Sequence, residues 1–448
     1  MTAIDRSYEF AQDATTRDLN HLPGSNGTPL VGHLLKMVKD FNGTVNRHYQ
    51  KYGEVSRFGQ GFIGQGILVL GPDNYKKIYL DAERNFSTKM GYHKSLGPFY
   101  GGGLLLHDFD EHRFQRRVFQ NSFKNEAMKG YAELMNPIMA EGLSSWITEP
   151  DFLFFNHIKE MLLDVAAKVF FGIDDLGDDA DRLNHAFIDI AEKGMMGIIK
   201  LDLPGLKFHQ GLKAKHYAEA FIKKLIPERR LNDGQDFMSY VVKEKKENGE
   251  YFTDDELAPH LTFLMFAAHD TTTSALSHLV MHLGKNPQIQ EELREESMAL
   301  SKDYLDYEDL EKLPYLDRAF HEALRLNPSV SMMTRRTVRE CELGGFRLPA
   351  NTVIFIPPFF NHRMEKWWDD PLKFDPDRFL PERAEHKRHP FQYIPFGGGA
   401  HKCIGMHFAT MNAKCFMYQF LRQYRFSTTE NYNPPMQIVP MPRPGDML

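Results

Sequence analysis

The chain has 448 residues, 42% apolar and 25% charged, with a formal net charge of −6. This composition belongs to a globular protein and excludes a disordered or collagen-like chain. The acidic balance, with no long Lys/Arg block, offers no surface for tracking nucleic-acid phosphates. Cys341, Cys403 and Cys415 are too few and too scattered for a disulfide framework. With no Cys-x-x-Cys pair, a four-cysteine zinc or iron–sulfur site is excluded from one chain.

Residues 1–33 read as a polar N-terminal segment followed by a Pro/Gly-rich lead-in, LPGSNGTPLVG. The first twenty residues lack the apolar core of a signal peptide or membrane anchor, and no later run suits a membrane span, so a cytoplasmic location is expected. Val55–Phe58 and Gly66–Leu70 are two short Val/Ile/Phe runs around a Gly-rich stretch and predict a hairpin. Asp73 predicts the N-cap of a short helix, and Asp110 that of another. From about 110 to 300 apolar residues recur at helical spacing, notably over 153–172, 183–200 and 215–227. Thr253 and Glu256 form a capping-box pattern. It opens a long, largely apolar helix from Leu257 to about Leu283, of a kind expected in the middle of a fold. Yet that helix carries His269, Asp270 and Thr271–Thr273 at its centre, and buried polar groups need partners or a purpose.

Further helices are expected after Asn286-Pro287 and over 314–326. Strand-like runs occupy 329–358, broken by Gly344-Gly345 and Pro349. Residues 361–395 form a loop long enough to be functional or packed on itself. A last helix is expected just after Cys403, to about Tyr424. Although 448 residues exceed the usual single core, no linker or repeat divides the chain. We read residues 1–448 as one large, mainly α domain with small β-sheets.

The chemistry concentrates in Phe396-Gly-Gly-Gly399-Ala-His401-Lys-Cys403-Ile-Gly405. Glycines permit a tight turn and close approach of a flat ligand. A cysteine just before a helix can be kept as a thiolate by amide donors and the helix dipole. Phe396 can shield the sulfur, so the arrangement suits an axial ligand to heme iron. A lone cysteine in a glycine turn also reads as a buried structural residue.

The segment resembles the heme-binding loop of the cytochrome P-450 family, F-x-x-G-x-x-x-C-x-G, through Phe396, Gly399, Cys403 and Gly405. Three further signatures follow the family's order. Glu322 and Arg325 in HEALRLNP match E-x-x-R, and Arg378 in FDPDRF resembles the arginine that joins them as a structural trio. Ala267-Ala268-His269-Asp270-Thr271 is similar to the acid–threonine pattern of the family's long helix, with alanine for the usual glycine. There a Thr271 hydroxyl bonded to the Ala267 carbonyl can bend the helix, and Asp270 and Thr271 would deliver protons.

The resemblance implies a cytochrome P-450 fold with the long central helix over heme b, Cys403 as axial thiolate, and His112, Arg116, Arg335 and His401 as propionate donors. Arg336 is an alternative to Arg335. By family position the substrate pocket would be lined by Tyr92, Leu104, Leu105, Leu106, Phe266, Ala267, Val330, Met332 and Met333. These are largely apolar, favouring a lipophilic, uncharged substrate. PFYGGGLLLHD and LPGLKFHQGLKAK resemble segments in the branch of sterol demethylases, retinoic-acid hydroxylases and terpenoid oxidases. Asp270 stands where sterol demethylases usually carry histidine, which argues against that activity.

The implied reaction inserts one oxygen atom of O2 into such a substrate, with electrons from a separate partner, a ferredoxin with its reductase or an equivalent donor. Arg113, Arg117, Lys402 and Lys414 are candidates for a basic docking patch. Competing readings are a peroxide-driven peroxygenase, a non-catalytic heme-thiolate sensor or carrier, and a helical scaffold without heme.

Overall fold

A computed structural model describes residues 19–446 except 60, 62–63, 147–151, 175–176, 198, 430 and 439–440. Most of the expected polar N-terminal segment therefore lies outside the described residues. The chain forms two compact units, each assembled from three separated stretches. One contains the chain up to Gly97, Leu105–Arg113 and Arg325–Cys403; the other contains Pro98–Leu104, Phe114–Leu324 and the chain from Ile404.

The first unit carries a six-stranded sheet in the order β1-β2-β3-β8-β5-β4. These strands are β1 (Gly24–Ser25), β2 (Val55–Gly59), β3 (Gln65–Val69), β4 (Phe86–Ser87), β5 (Met333–Thr337) and β8 (Val353–Ile356). The expected hairpin is present: β2 and β3 pair antiparallel, with Val55 opposite Val69. β3 pairs parallel with β8, which pairs antiparallel with β5. β6 (Cys341–Leu343) and β7 (Phe346–Leu348) form a separate ribbon. Ile67, Val69, Tyr75, Leu343, Leu348, Ile354 and Ile356 make this unit's core.

Two expected caps are displaced. Pro72 occupies the first turn of the Pro72–Leu80 helix and Gly71 is its N-cap, so Asp73 lies inside that turn. The Phe109–Gln120 helix likewise starts two residues early, at Phe109 with φ 49°. Asp108 is instead spent on β4 and its following turn, accepting from the amides of Thr88 and Lys89 and the Ser87 hydroxyl.

The second unit is helical. Its longest element, Asp254–Lys285, starts with the expected capping box: Glu256 N–H donates to the Thr253 hydroxyl oxygen at 3.2 Å, and Thr253 N–H to the Glu256 carboxylate at 2.8 Å. It packs against the Phe154–Phe171 and Lys207–Leu231 helices. The 183–200 stretch departs from a simple helix. The Asp178–Ile188 helix passes into a π-helix over Asp189–Met195, where Gly194 and Gly211 meet so closely that a Cβ on Gly211 would lie 2.4 Å from the Gly194 Cα. The last helix, Met406–Gln423, begins three residues after Cys403. No helix among the described residues is long and apolar enough to cross a membrane.

Candidate functional site

The segment before Cys403 folds as its glycines require. Gly397 and Gly399 take φ 70° and 62°, and the Cys403 amide closes the turn by donating to the Phe396 carbonyl at 2.9 Å. Gly399 is also pressed on the backbone: a Cβ there would come within 1.8 Å of the Tyr79 carbonyl oxygen. The turn leaves Cys403 exposed, whereas Cys415 is buried. Burial pushes the Cys341 thiol up to about 11 and the Cys415 thiol up to about 12, so both stay protonated near neutrality. Cys403 is thus the cysteine placed to serve as a thiolate ligand.

Three of the propionate candidates, His112, Arg335 and His401, lie in the same unit as Cys403. His112 and His401 stack with ring centroids 3.8 Å apart, and His401 Nε2 is 3.8 Å from the buried Asp108 carboxylate. Arg335 is buried on β5, its Nη1 donating to the Thr334 carbonyl at 2.8 Å and its guanidinium 5.4 Å from the centre of the Tyr79 ring. Among the described residues no carboxylate forms a salt bridge with it, so the charge is available to a carboxylate-bearing ligand. Its strand neighbour Arg336 is also buried, and desolvation lowers its pKa. Arg116 lies one turn beyond His112 on the same helix, half-buried. An exposed thiol after a glycine turn, together with buried cationic donors, fits an iron porphyrin with two propionates.

Arg325 and Arg378 are fully buried, as is Glu322 on the Pro314–Leu326 helix. Arg325 donates to the carbonyls of His362, Pro371 and Lys373, and Arg378 to those of Asp369 and Lys373. Arg378 also pairs at 2.8 Å with Glu385, a fully buried carboxylate that Arg383 contacts as well. Sequence reading missed Glu385, because nothing in its neighbourhood marks the first residue of a short 3-10 turn as buried. These bonds pin the 361–395 segment, which is packed on itself as expected.

On the long helix the Thr271 hydroxyl donates to the Ala267 carbonyl at 2.6 Å, as expected. Thr272 and Thr273 bond the carbonyls four residues back in the same way. Asp270 is held by Lys159, an unforeseen partner, with Nζ 3.5 Å from its carboxylate. His269 Nε2 lies 2.8 Å from the Lys159 carbonyl, which can only accept, so that nitrogen carries the proton. Its Nδ1 faces Asp270 at 3.5 Å, and desolvation lowers the His269 pKa, keeping the ring neutral.

The expected pocket residues divide. Phe266 is buried and Ala267 half-buried on the long helix, four residues before Asp270 and Thr271 respectively. Leu104–Leu106 form a 3-10 turn with only Leu106 fully buried. Met332 is half-buried, and the Tyr92 hydroxyl accepts from the Thr334 amide at 3.3 Å. Met333 lies in the sheet core, where its sulfur accepts from the Tyr79 hydroxyl at 2.9 Å, and Val330 packs against that core. In the candidate basic patch, Arg113, Arg117 and Lys402 are exposed, but Lys414 is buried, bonded to the Leu310 carbonyl and paired with Asp317 at 2.8 Å. Lys414 therefore does not belong to a surface patch.

A cysteine-ligated cofactor protein built on a long polar-centred helix is the class these features define. A family profile described as Cytochrome P450 matches residues 22–446. Cytochrome P450 136 of Mycobacterium tuberculosis is 35% identical over 444 residues, covering 98% of this chain and 89% of that protein. Mouse cytochrome P450 26B1 is 29% identical, covering 100% and 90%. The solved structure of retinoic acid bound cyanobacterial CYP120A1 superimposes with a TM-score of 0.86 at 26% identity, covering 95% of this chain and 97% of that one. The chain belongs to the cytochrome P450 family. It is accordingly an oxidoreductase of the monooxygenase class that binds heme through the axial thiolate of Cys403 and draws electrons from a redox partner.

Proposed function

We propose that this enzyme inserts one oxygen atom of O2 into a lipophilic, uncharged substrate of terpenoid, retinoid, steroid or fatty-acyl type, with electrons from a ferredoxin and its reductase. The observation that carries the reading is the Asp270–Thr271 pair at the centre of the long helix. Thr271 spends its proton on the Ala267 carbonyl, so its oxygen serves as an acceptor beside the Asp270 carboxyl. Lys159, on the Phe154–Phe171 helix, holds that carboxyl, and the neutral His269 ring lies beside it. A peroxide-driven enzyme needs no such proton path, and a sensor or carrier needs no turnover.

The bound heme supplies oxygen activation, and the chain supplies the ligand, the protons and the shape of the pocket. In this reading Cys403 is the thiolate, flanked by Phe396, Gly399 and Gly405, while His112, Arg116, Arg335 and His401 take the propionates. Glu322, Arg325 and Arg378 are structural. Tyr92, Leu104, Leu105, Leu106, Phe266, Ala267, Val330 and Met332 remain pocket candidates. Met333 contributes by seating the Gly397 turn, since a Cβ on Gly397 would lie 3.7 Å from its sulfur. The retinoic acid bound to the cyanobacterial relative supports a substrate of that size and apolar character.

The test supplies reduced ferredoxin and O2 with a panel of terpenoids, steroids, retinoids and fatty acids. Product formation with substrate-dependent reductant consumption is expected. Turnover with hydrogen peroxide alone would favour the peroxygenase, and no turnover with either oxidant would favour a carrier.

A further inference from the structure

Tyr100 ends the short Gly97–Tyr100 helix and is completely buried. Its ring stacks on Phe266 with centroids 4.9 Å apart and meets the Phe263 ring edge-on at 5.6 Å. Both phenylalanines lie on the long helix just before Asp270. The glycines that follow let the chain press against that helix: a Cβ on Gly103 would come 3.0 Å from the Phe263 Cβ. The ring is therefore fixed, but its hydroxyl has no hydrogen-bond partner among the described residues. A buried hydroxyl without a partner is costly, and phenylalanine in its place would pack without that cost.

We propose that the Tyr100 hydroxyl donates a hydrogen bond to a neutral acceptor oxygen, a ketone or an alcohol, on an otherwise apolar substrate. Burial first and the Asp270 charge second raise the phenol pKa well above its ordinary value, so the group stays protonated. The same negative charge disfavours a carboxylate brought up to Tyr100. A neutral oxygen, by contrast, gains the donor without charge repulsion. The three aromatic rings supply the apolar wall around that contact, and the single hydroxyl supplies orientation. This inference rests on the apolar-substrate monooxygenase reading above and narrows it.

The test compares the wild-type holoenzyme with Tyr100→Phe by ligand-induced heme spectral titration. The probes are β-ionone, the hydrocarbon of the same skeleton without the carbonyl oxygen, and retinoic acid as the carboxylate. The wild type should bind the ketone about five- to tenfold more tightly than the hydrocarbon, and Tyr100→Phe should bring the two within about twofold. Thermal stability of the ligand-free variant should be unchanged or raised, because the lost hydroxyl had no partner. A wild type without ketone preference, a preference retained in Tyr100→Phe, or tighter binding of the carboxylate overturns the proposal. So does a clear fall in the variant's melting temperature, which would reveal an internal partner for the hydroxyl. The reduced CO spectrum of the same samples separates the two claims. A thiolate-type band without ketone preference overturns the Tyr100 donor alone, and absence of that band overturns the heme reading beneath it.

Discussion

The cysteine-bearing segment and the centre of the long helix solve opposite problems. In the cysteine-bearing unit the backbone is fixed by short contacts: the Phe396 carbonyl accepts the cysteine amide at 2.9 Å, and in the 361–395 segment Arg378 grips Glu385 at 2.8 Å with both side chains fully buried. At the centre of the helix, Asp270 has, among the described residues, looser contacts, 3.5 Å to Lys159 and 3.5 Å to the His269 ring. A metal ligand must be held in one place, whereas a proton-carrying carboxyl must exchange partners. Tight geometry around the sulfur and slack geometry around the acid suit those tasks.

The largest expected effect tests the tight side. Arg378→Ala leaves the Asp369 and Asp370 carbonyls without their buried donor and removes the buried partner of Glu385, and should cost about 3–5 kcal/mol in denaturant unfolding. A loss below about 1 kcal/mol would show that the loop is held by other means. The same unit should be acid-labile. Burial first and neighbouring His33 second lower the His48 pKa to about 4. The unfolded chain, with an ordinary histidine near 6.5, binds that proton first as pH falls. His48 should therefore leave stability level above about pH 6.5 and reduce it by up to about 3 kcal/mol between there and pH 4. His48→Gln should flatten most of that slope; an unchanged slope would place the lability elsewhere.

On the slack side, Asp270→Asn should lower coupled turnover about 100-fold with little change in melting temperature. A stability loss as large as that of Arg378→Ala would mean that Asp270 is structural and would erase the contrast. The smallest effect is expected from Cys341→Ala: its thiol, on β6, is protonated and unsuited to ligate iron, so the heme spectrum should not change.

The sequence made legible what local chemistry decides. Thr253 and Glu256 announced the long helix, and the threonine that bonds back to Ala267 was readable from spacing alone. The glycines before Cys403 announced its turn. Features that depend on distant packing were not legible. Lys159 lies 111 positions from Asp270, on an amphipathic helix whose pattern does not mark it as a partner. Glu385 opens a three-residue 3-10 turn in a segment without periodicity. The π-helix over Asp189–Met195 arises where Gly194, Gly211 and the Phe99 ring crowd together, a meeting that no local pattern encodes. Asp73 missed its cap because Pro72, already suited to a first turn, starts that helix two residues earlier than a cap at Asp73 would.

The most direct measurement is the reduced, CO-bound absorption spectrum of the wild type beside Cys403→Ala, Cys341→Ala and Cys415→Ala. The red-shifted Soret band of a thiolate-ligated heme should appear in the wild type, persist when Cys341 or Cys415 is replaced, and disappear when Cys403 is replaced. A Cys403→Ala protein that retained the band would contradict the assignment of the iron ligand, and a heme-free wild type would contradict the account as a whole.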